Sequence, residues 1–123
     1  MKQSARFGSL AKTAFRTLGT LQVGVLVDGL KGRPISVLRI KMRPRAVHAP
    51  LWHARTSEFF TVLEGDQWAK IDGRRRHFKK GDFAFLPPGS VHGFRAGKRG
   101  VEVLAVFSPP LDLEHPDIVP QKP

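Results

Sequence analysis

Two short stretches of the chain carry side chains that suit a divalent metal ion, at spacings that bring them to one pocket. The stretches read His53-x4-Glu58-x6-Gly65 and Gly81-x5-Pro87-x-Gly89-x2-His92. They place two imidazoles and one carboxylate at the edges of adjacent short strands, with glycines where the chain must reverse. Ligand chemistry and turn chemistry therefore both predict the two halves of one metal-binding pocket.

The composition narrows the kind of metal site and the kind of protein. The chain has no cysteine, so thiolate ligands and disulfides are excluded and His, Asp and Glu must supply the ligands. With 123 residues, of which 41% are hydrophobic and 25% charged, the chain is one domain's worth of a globular protein. It is too polar for a membrane span.

Positive charge is concentrated in the first half of the chain. Residues 1–57 hold eleven Lys and Arg against the single acid Asp28, whereas residues 58–123 hold ten against nine acids. Such asymmetry indicates an anionic partner or, as the simpler interpretation that we favour, a solvated surface. The longest apolar run near the start, residues 25–27, is far too short for a secretory signal, so we expect a cytoplasmic protein.

A rhythm of glycines predicts the fold class. Glycines recur at an interval of eight residues, at Gly65, Gly73, Gly81, Gly89 and Gly97. The segments between them alternate or are apolar on both faces, and residues 21–27 and 35–42 have the same β-branched and aliphatic bias. About eight short strands result, which predicts an all-β, single-domain jelly-roll β-barrel. Only residues 10–18 have a composition that favours a helix.

The barrel is expected over residues 21–108, between a basic N-terminal arm at residues 1–20 and a Pro-rich tail at residues 109–123. The tail contains five of the ten prolines together with three acids. We therefore expect it to be extended and unable to pair in a central strand. It could lie against the basic arm of a partner chain.

Alternation along the strands sorts inward from outward side chains. It puts Arg39 and Lys41 on the outer face of the strand expected at residues 35–42. It also points Gln67 inward and Trp68 outward. Because a buried amide needs hydrogen-bond partners, Gln67 either bonds within the barrel or faces a ligand.

The two stretches resemble the signatures of the cupin superfamily. The run from Leu51 to Gly65 is similar to the first signature, G-x5-H-x-H-x(3,4)-E-x6-G, and the run from Gly81 to His92 is similar to the second, G-x5-P-x-G-x2-H-x3-N. Both lie within residues 51–92, at the compact spacing of single-domain bacterial cupins. The resemblance implies a small jelly-roll barrel, usually a homodimer, with a metal inside the barrel mouth. Cupins include dioxygenases, isomerases, decarboxylases, storage proteins and sensor domains, so the family alone does not select a reaction.

The resemblance implies His53, Glu58 and His92 as the metal ligands. Two imidazoles and one carboxylate suit non-haem Fe(II) and leave coordination positions for substrate, and the same donors also bind Mn, Zn or Ni. A purely structural role, with both histidines hydrogen-bonded in the barrel, stays open. Glu58 is harder to interpret as plain core, because a carboxylate is almost never buried without a partner.

One expected ligand is missing, because Leu51 occupies the earlier His position of the first signature. Two replacements are open. His48 is an additional candidate ligand that could reach the site from a loop. Alternatively, the register slips so that His53 and Arg55 take the two His positions, which leaves only His53 and His92 as imidazoles and severely weakens the site.

The aromatic residues predict an apolar pocket. Phe60 and Phe94 share the strand parity of the metal ligands and are expected to form its walls with Leu51, while Gln67 supplies a directional hydrogen bond. We therefore expect a small-molecule ligand or substrate, a planar aromatic or a short carbonyl compound.

Three functions are compatible with these features. The leading hypothesis is a metal-dependent enzyme of the oxygenase or isomerase type, without an identifiable separate catalytic base. The alternative is a non-catalytic small-ligand-binding module with a weakened or absent metal site. Nucleic-acid binding is the least favoured, because outward aromatics for base stacking are sparse; it would use Arg39, Lys41, Arg43 and Arg45.

Overall fold

The computed structural model describes residues 4–122, in which nine antiparallel strands form one curled sheet. The strands are β1 (Arg16–Leu18), β2 (Leu21–Val27), β3 (Ser36–Met42), β4 (Val47–His53), β5 (Ser57–Ile71), β6 (Arg74–Lys79), β7 (Phe83–Leu86), β8 (His92–Ser108) and β9 (Ile118–Pro120). The all-β jelly-roll barrel predicted from the sequence is confirmed. Two single-turn 3-10 helices span Leu10–Lys12 and Gly29–Lys31. Among residues 4–122, no helix has the length and apolar character needed to span a membrane.

The two longest strands, β5 and β8, hold the barrel together. They pair with each other from Ser57 opposite Ser108 to Ile71 opposite His92. The half of β8 near His92 also pairs with β4, while its other half pairs with β3. Each long strand therefore belongs to both halves of the barrel.

Gly65 and Gly97 do not reverse the chain, contrary to the prediction from the glycine rhythm. They lie inside β5 and β8, whereas Gly73, Gly81 and Gly89 do occupy turns. Gly65 has a φ of 71° and lies where the register between β5 and β8 shifts, so it bends the strand as part of a bulge. A turn and a bulge both use a positive φ, which is why the local sequence does not distinguish them.

The helix expected over residues 10–18 is largely wrong. Only Leu10–Lys12 forms one 3-10 turn, and Arg16–Leu18 pairs with β2 instead. Between them, the ring of Phe15 packs under the guanidinium of Arg39 at 5.0 Å. Pairing with an available sheet edge thus outweighs the weak helix propensity of so short a segment.

The core follows the alternation of the strands. Gln67 is 3% exposed and Ala69 is buried, whereas Trp68 between them is 40% exposed, as the parity predicts. The buried apolar core consists of Val23, Leu38, Met42, Phe60, Val62, Ala69, Phe78, Leu86, Ala96, Val101, Val103, Ala105 and Phe107.

The tail folds back along its own barrel. The amide N–H of Leu111 donates to the Ser36 hydroxyl at 3.1 Å, and further along β9 pairs with the free edge of β4. An edge position is the one that a proline-containing strand can occupy. Arg16 and Glu114 form an ion pair at 3.3 Å, so arm and tail meet within one chain. The first three residues of the arm and the last residue of the tail lie outside the described residues.

Candidate metal centre

Three segments bring two imidazoles and one carboxylate together inside the barrel. His53 ends β4, Glu58 is the second residue of β5, and His92 begins β8. The Nε2 atom of His53 lies 3.6 Å from Oε1 of Glu58, and Nε2 of His92 lies 3.7 Å from the same oxygen. All three residues are buried, and one ligand atom from each lies within 4.8 Å of the other two. This group could hold a metal ion.

Strand register and one loop contact explain why these residues meet. Glu58 lies opposite Phe107 of β8 and shares its inward face. The carbonyl of His53 accepts the N–H of Gly89 at 2.9 Å. Gly89 has a φ of 85° and belongs to the loop that leads into His92. The glycine of the second motif therefore docks its loop onto the histidine of the first.

Hydrogen bonds on the far side of each ring fix which nitrogen is free. Nδ1 of His92 lies 2.9 Å from the backbone carbonyl of Ser90, and Nδ1 of His53 lies 3.2 Å from Oδ1 of Asp117. A carbonyl or carboxylate oxygen only accepts, so both Nδ1 atoms carry a proton, and the tautomer that this fixes has its free lone pair on Nε2. This arrangement resembles the partners that orient metal-binding histidines.

The donor atoms fit a divalent ion. Two imidazole nitrogens lie 3.6 and 3.7 Å from one oxygen of the Glu58 carboxylate. A divalent cation between them would be bound by all three groups. Metal–ligand bonds of about 2.1 Å place adjacent donors about 3.0–3.4 Å apart, so the two nitrogen–oxygen separations of 3.6 and 3.7 Å need to shorten by only a few tenths of an ångström.

The charges around His53 act on its pKa and on that of Asp117. Burial lowers the pKa of His53, but the carboxylates of Glu58 and Asp117 outweigh it, so the pKa is raised from its usual value. Burial raises the pKa of Asp117. Hydrogen bonds from the Arg55 amide, the Thr56 hydroxyl and His53 outweigh that effect and lower it. The Asp117 carboxylate is thus ionised beside the ring of His53.

A cavity of about 280 Å³ opens above the cluster. Its walls are mostly apolar, and the four residues expected to form the pocket, Leu51, Phe60, Gln67 and Phe94, all line it. Gln67 is 3% exposed and is a polar residue of the cavity wall outside the ligand cluster.

His48 and Arg55, the other two residues considered as alternatives at the ligand positions, are not members of the three-residue cluster. His48 lines the cavity, with its ring edge-on to Phe94 at 6.2 Å, but it is outside the three-residue group. Burial and then the neighbouring His92 lower the pKa of His48, so its ring is neutral at pH 7. Arg55 is exposed. Leu51 pairs with His92 across β4 and β8 and fills the position of the missing imidazole with an apolar side chain.

The tail supplies residues that the sequence alone did not reveal. Asp117 holds His53, and the cavity wall is completed by Leu111, Leu113, Pro116 and Ile118. The only local signal is the pair Ile118 and Val119 between two prolines, a pattern of a short edge strand. Nothing in it predicts which strand the tail pairs with.

The basic outer face of β3 is partly neutralised. Arg39 donates through Nε to Oε2 of Glu102 at 2.7 Å, and its side chain is only 13% exposed. Lys41 lies over the Phe15 ring at 4.4 Å. Of the four cations considered for nucleic-acid contact, Arg43 and Arg45 are exposed. Arg39 is not accessible to a phosphate.

The family is decided by a profile match over most of the barrel. The profile described as Cupin domain matches residues 38–107, more than half of the chain. The chain belongs to the cupin family. The match includes the three residues of this cupin's candidate metal centre.

Individual relatives agree with that assignment. An uncharacterized protein of Aquifex aeolicus (strain VF5) is 40% identical over 63 residues, which are 51% of this chain and 52% of that protein. The aligned part thus spans about half of the curated relative. KdgF from Halomonas sp. superposes with a TM-score of 0.81 at 21% identity, covering 91% of this cupin and all of that chain. An RmlC-like cupin from Shewanella frigidimarina NCIMB 400 gives 0.74 at 26% identity, covering 89% and 95%. At 21% identity the likeness to KdgF shows a shared fold.

Proposed function

We propose that this cupin binds one divalent metal ion through His53, Glu58 and His92 and uses the cavity beside it for a small organic ligand. The observation that carries the proposal is the convergence of the Nε2 atoms of two buried histidines on one buried carboxylate. Burial of a carboxylate in an apolar interior is costly, and a bound cation offsets that cost.

The cavity defines the kind of ligand. Its apolar walls favour a planar aromatic or short carbonyl compound, and its volume of about 280 Å³ restricts the ligand to a small molecule. The amide of Gln67 would orient one polar group of the ligand, while Phe60 and Phe94 pack against the apolar part.

In the enzymatic form of this proposal, the reaction is of the oxygenase or isomerase type. The ion would supply Lewis-acid chemistry or oxygen activation, since three protein ligands leave coordination positions for substrate. His48, neutral at pH 7 and on the cavity wall, is the titratable group outside the ligand set that could take up a proton. Fe, Mn, Zn and Ni all suit the donors.

The alternative is a cupin that binds the same ligand without turnover. Leu51 favours it, because it removes the fourth protein ligand that the family signature contains. Ligand binding without any product, by a protein with its metal loaded, would support this alternative.

Metal content tests the proposal most cheaply. The protein is purified without a polyhistidine tag, incubated with Fe(II), Mn, Zn and Ni ions in turn, freed of excess metal and analysed by elemental mass spectrometry. We expect about one equivalent in the wild type and almost none in His53→Ala. His77→Ala is the matched control, because His77 lies 2.5 Å from the Asp66 carboxylate and stacks on Trp68, remote from the cavity lining.

The outcomes separate a metal-binding cupin from a metal-free binding module. Metal that is lost only with His53→Ala supports the metal-binding cupin. A wild-type protein without bound metal after every incubation contradicts it and leaves the metal-free binding module. Circular dichroism of both variants confirms that the barrel is folded.

The homodimer and the cytoplasmic location stay predictions. The residues that fit a dimer best are on β7, where Phe83 is 63% and Phe85 62% exposed and Phe83 stacks on Phe59 of β5 at 5.6 Å.

A further inference from the structure

We propose that Asp117 is a positioning residue of the metal centre, and that docking of the tail which carries it and metal binding strengthen each other. The inference rests on the proposed function, because it needs His53 to be a metal ligand. It assigns to the C-terminal segment a part in the site that neither family signature contains.

Asp117 is the point where the tail is fastened to the first motif. Its Oδ2 accepts the amide N–H groups of Arg55 at 2.7 Å and Thr56 at 2.9 Å. Its Oδ1 accepts the Thr56 hydroxyl at 3.1 Å and the Nδ1–H of His53 at 3.2 Å. The side chain is only 8% exposed. One carboxylate therefore receives four donors from three residues of one short segment, His53, Arg55 and Thr56.

The contact with His53 acts on the metal side of the ring. A carboxylate on Nδ1–H fixes the tautomer that leaves Nε2 bare, holds the ring plane and increases the electron density at Nε2. Without Asp117 the ring is free to rotate or to carry its proton on Nε2, and either change removes a ligand.

Backbone bonds on either side of Asp117 also join the tail to the barrel. They run from the Ala54 N–H to the Asp117 carbonyl at 2.9 Å and from the Gln121 N–H to the Pro50 carbonyl at 3.1 Å. The paired strand itself, β9, is only three residues long. Asp117 therefore adds a buried side-chain anchor next to a short strand pairing.

Docking of the tail and metal binding must affect each other equally. If release of the tail weakens metal binding by some factor, then metal binding disfavours release of the tail by the same factor. The tail also carries Leu111, Leu113 and Ile118 on the cavity wall, so a bound metal stabilises the wall that encloses the ligand.

The first test compares two substitutions in the tail. Asp117→Asn keeps the size of the side chain and one acceptor oxygen but removes the charge. Asp112→Asn is the matched control, because the Asp112 carboxylate accepts only from the amides of Glu114 and His115 within the tail. Calorimetric titration with Zn²⁺ should show an affinity about 10–100-fold lower for Asp117→Asn, and within twofold of wild type for Asp112→Asn.

The second test needs no substitution. Hydrogen exchange of the wild-type amides of Ala54 and Gln121, which bond across the junction of tail and barrel, is measured with and without saturating Zn²⁺. We expect Zn²⁺ to slow both, because metal binding disfavours release of the tail. In the metal-free protein, Asp117→Asn should accelerate both.

The results distinguish this inference from the proposed function. Wild-type protein that takes up none of Fe(II), Mn, Zn and Ni contradicts both. Wild-type protein that binds Zn²⁺ while Asp117→Asn binds it equally well, or with no change of exchange at Gln121, overturns the role of Asp117 alone. Weaker binding together with slower exchange in the metal-bound wild type supports it.

Discussion

Glu58 is the residue whose presence a metal explains best. It is 7% exposed and lies between two imidazoles that present lone pairs to it, so in the metal-free protein it is a buried charge with little compensation. A side chain kept for stability would not be a carboxylate at this position. Stability and metal binding should therefore respond oppositely to its neutralisation.

Glu58→Gln should separate the contribution of Glu58 to stability from its contribution to metal binding. The amide can donate to a bare imidazole Nε2, so at pH 8 the metal-free variant should unfold at the same temperature as wild type or higher. Saturation at about 100 times the dissociation constant stabilises a protein by about 2.7 kcal/mol. We expect Zn²⁺ to give that stabilisation to wild type and almost none to Glu58→Gln, measured by thermal unfolding.

The control for this experiment lies on the same strand. Glu64 is exposed and pairs with Lys80 at 3.3 Å on the surface, where an ion pair contributes little. Glu64→Gln should leave both the unfolding temperature and the Zn²⁺ response unchanged. A Glu58→Gln protein that is stabilised by Zn²⁺ as strongly as wild type would refute the assignment of this ligand.

The three candidate ligands were predictable from the sequence because their identities and spacings lie within two local motifs. Their grouping in the barrel follows from strand parity, which also correctly placed Gln67 inward. Asp117 was not predictable, because it lies 64 positions after His53 and meets it only through the pairing of β9 with β4. Such pairing is set by the whole barrel and leaves no mark in either motif.

At the scale of the elements, the site depends on the bend in β5. Gly65 separates the part of the strand that carries Glu58 from the part that carries Gln67, and both parts pair with β8. The bend brings the carboxylate and the amide to the same cavity. A Cβ on Gly65 would overlap the carbonyl oxygen of Gly100 on β8.

Gly65→Ala should therefore destabilise the protein more than the same substitution in a turn where a Cβ has open space around it. Gly73 has a similar φ, 82° against 71°, but open space where a Cβ would be. Both substitutions carry the strain of a positive φ, of the order of 1 kcal/mol. The free energy of unfolding, measured in urea, should fall by about 1–3 kcal/mol more for Gly65→Ala than for Gly73→Ala, because β5 and β8 must separate locally. Equal losses at the two positions would show that the crossing of β5 and β8 is not tight.

The sequence predicts the bounds of some strands but not those of the two longest. The β-branched and aliphatic bias predicted the bounds of β2 as observed, yet the glycine rhythm divided β5 and β8 in two at Gly65 and Gly97. The difference between a turn at Gly73 and a bulge at Gly65 is the presence of Gly100 across the ladder. That contact is tertiary, so local spacing could not reveal it.

At the scale of the whole molecule, both ends of the chain are used to complete the barrel. Arg16 of the arm forms an ion pair with Glu114 of the tail, and Arg39 forms one with Glu102. Acids of the second half therefore neutralise part of the positive charge of the first half. Arg16 and Glu114 are both largely exposed, which makes their ion pair weak. The candidate metal centre joins β4, β5, β8 and the tail, so an ion bound there should stabilise all four.

The most direct test of that account is an anomalous-diffraction map of the metal-loaded protein at the absorption edge of zinc. Because the map shows every ordered zinc ion in the molecule, it locates the ion without assuming a site. The account predicts one strong peak about 2.0–2.2 Å from Nε2 of His53, Nε2 of His92 and a carboxylate oxygen of Glu58. A peak only elsewhere, such as at His77 and Asp66 on the surface, would contradict it.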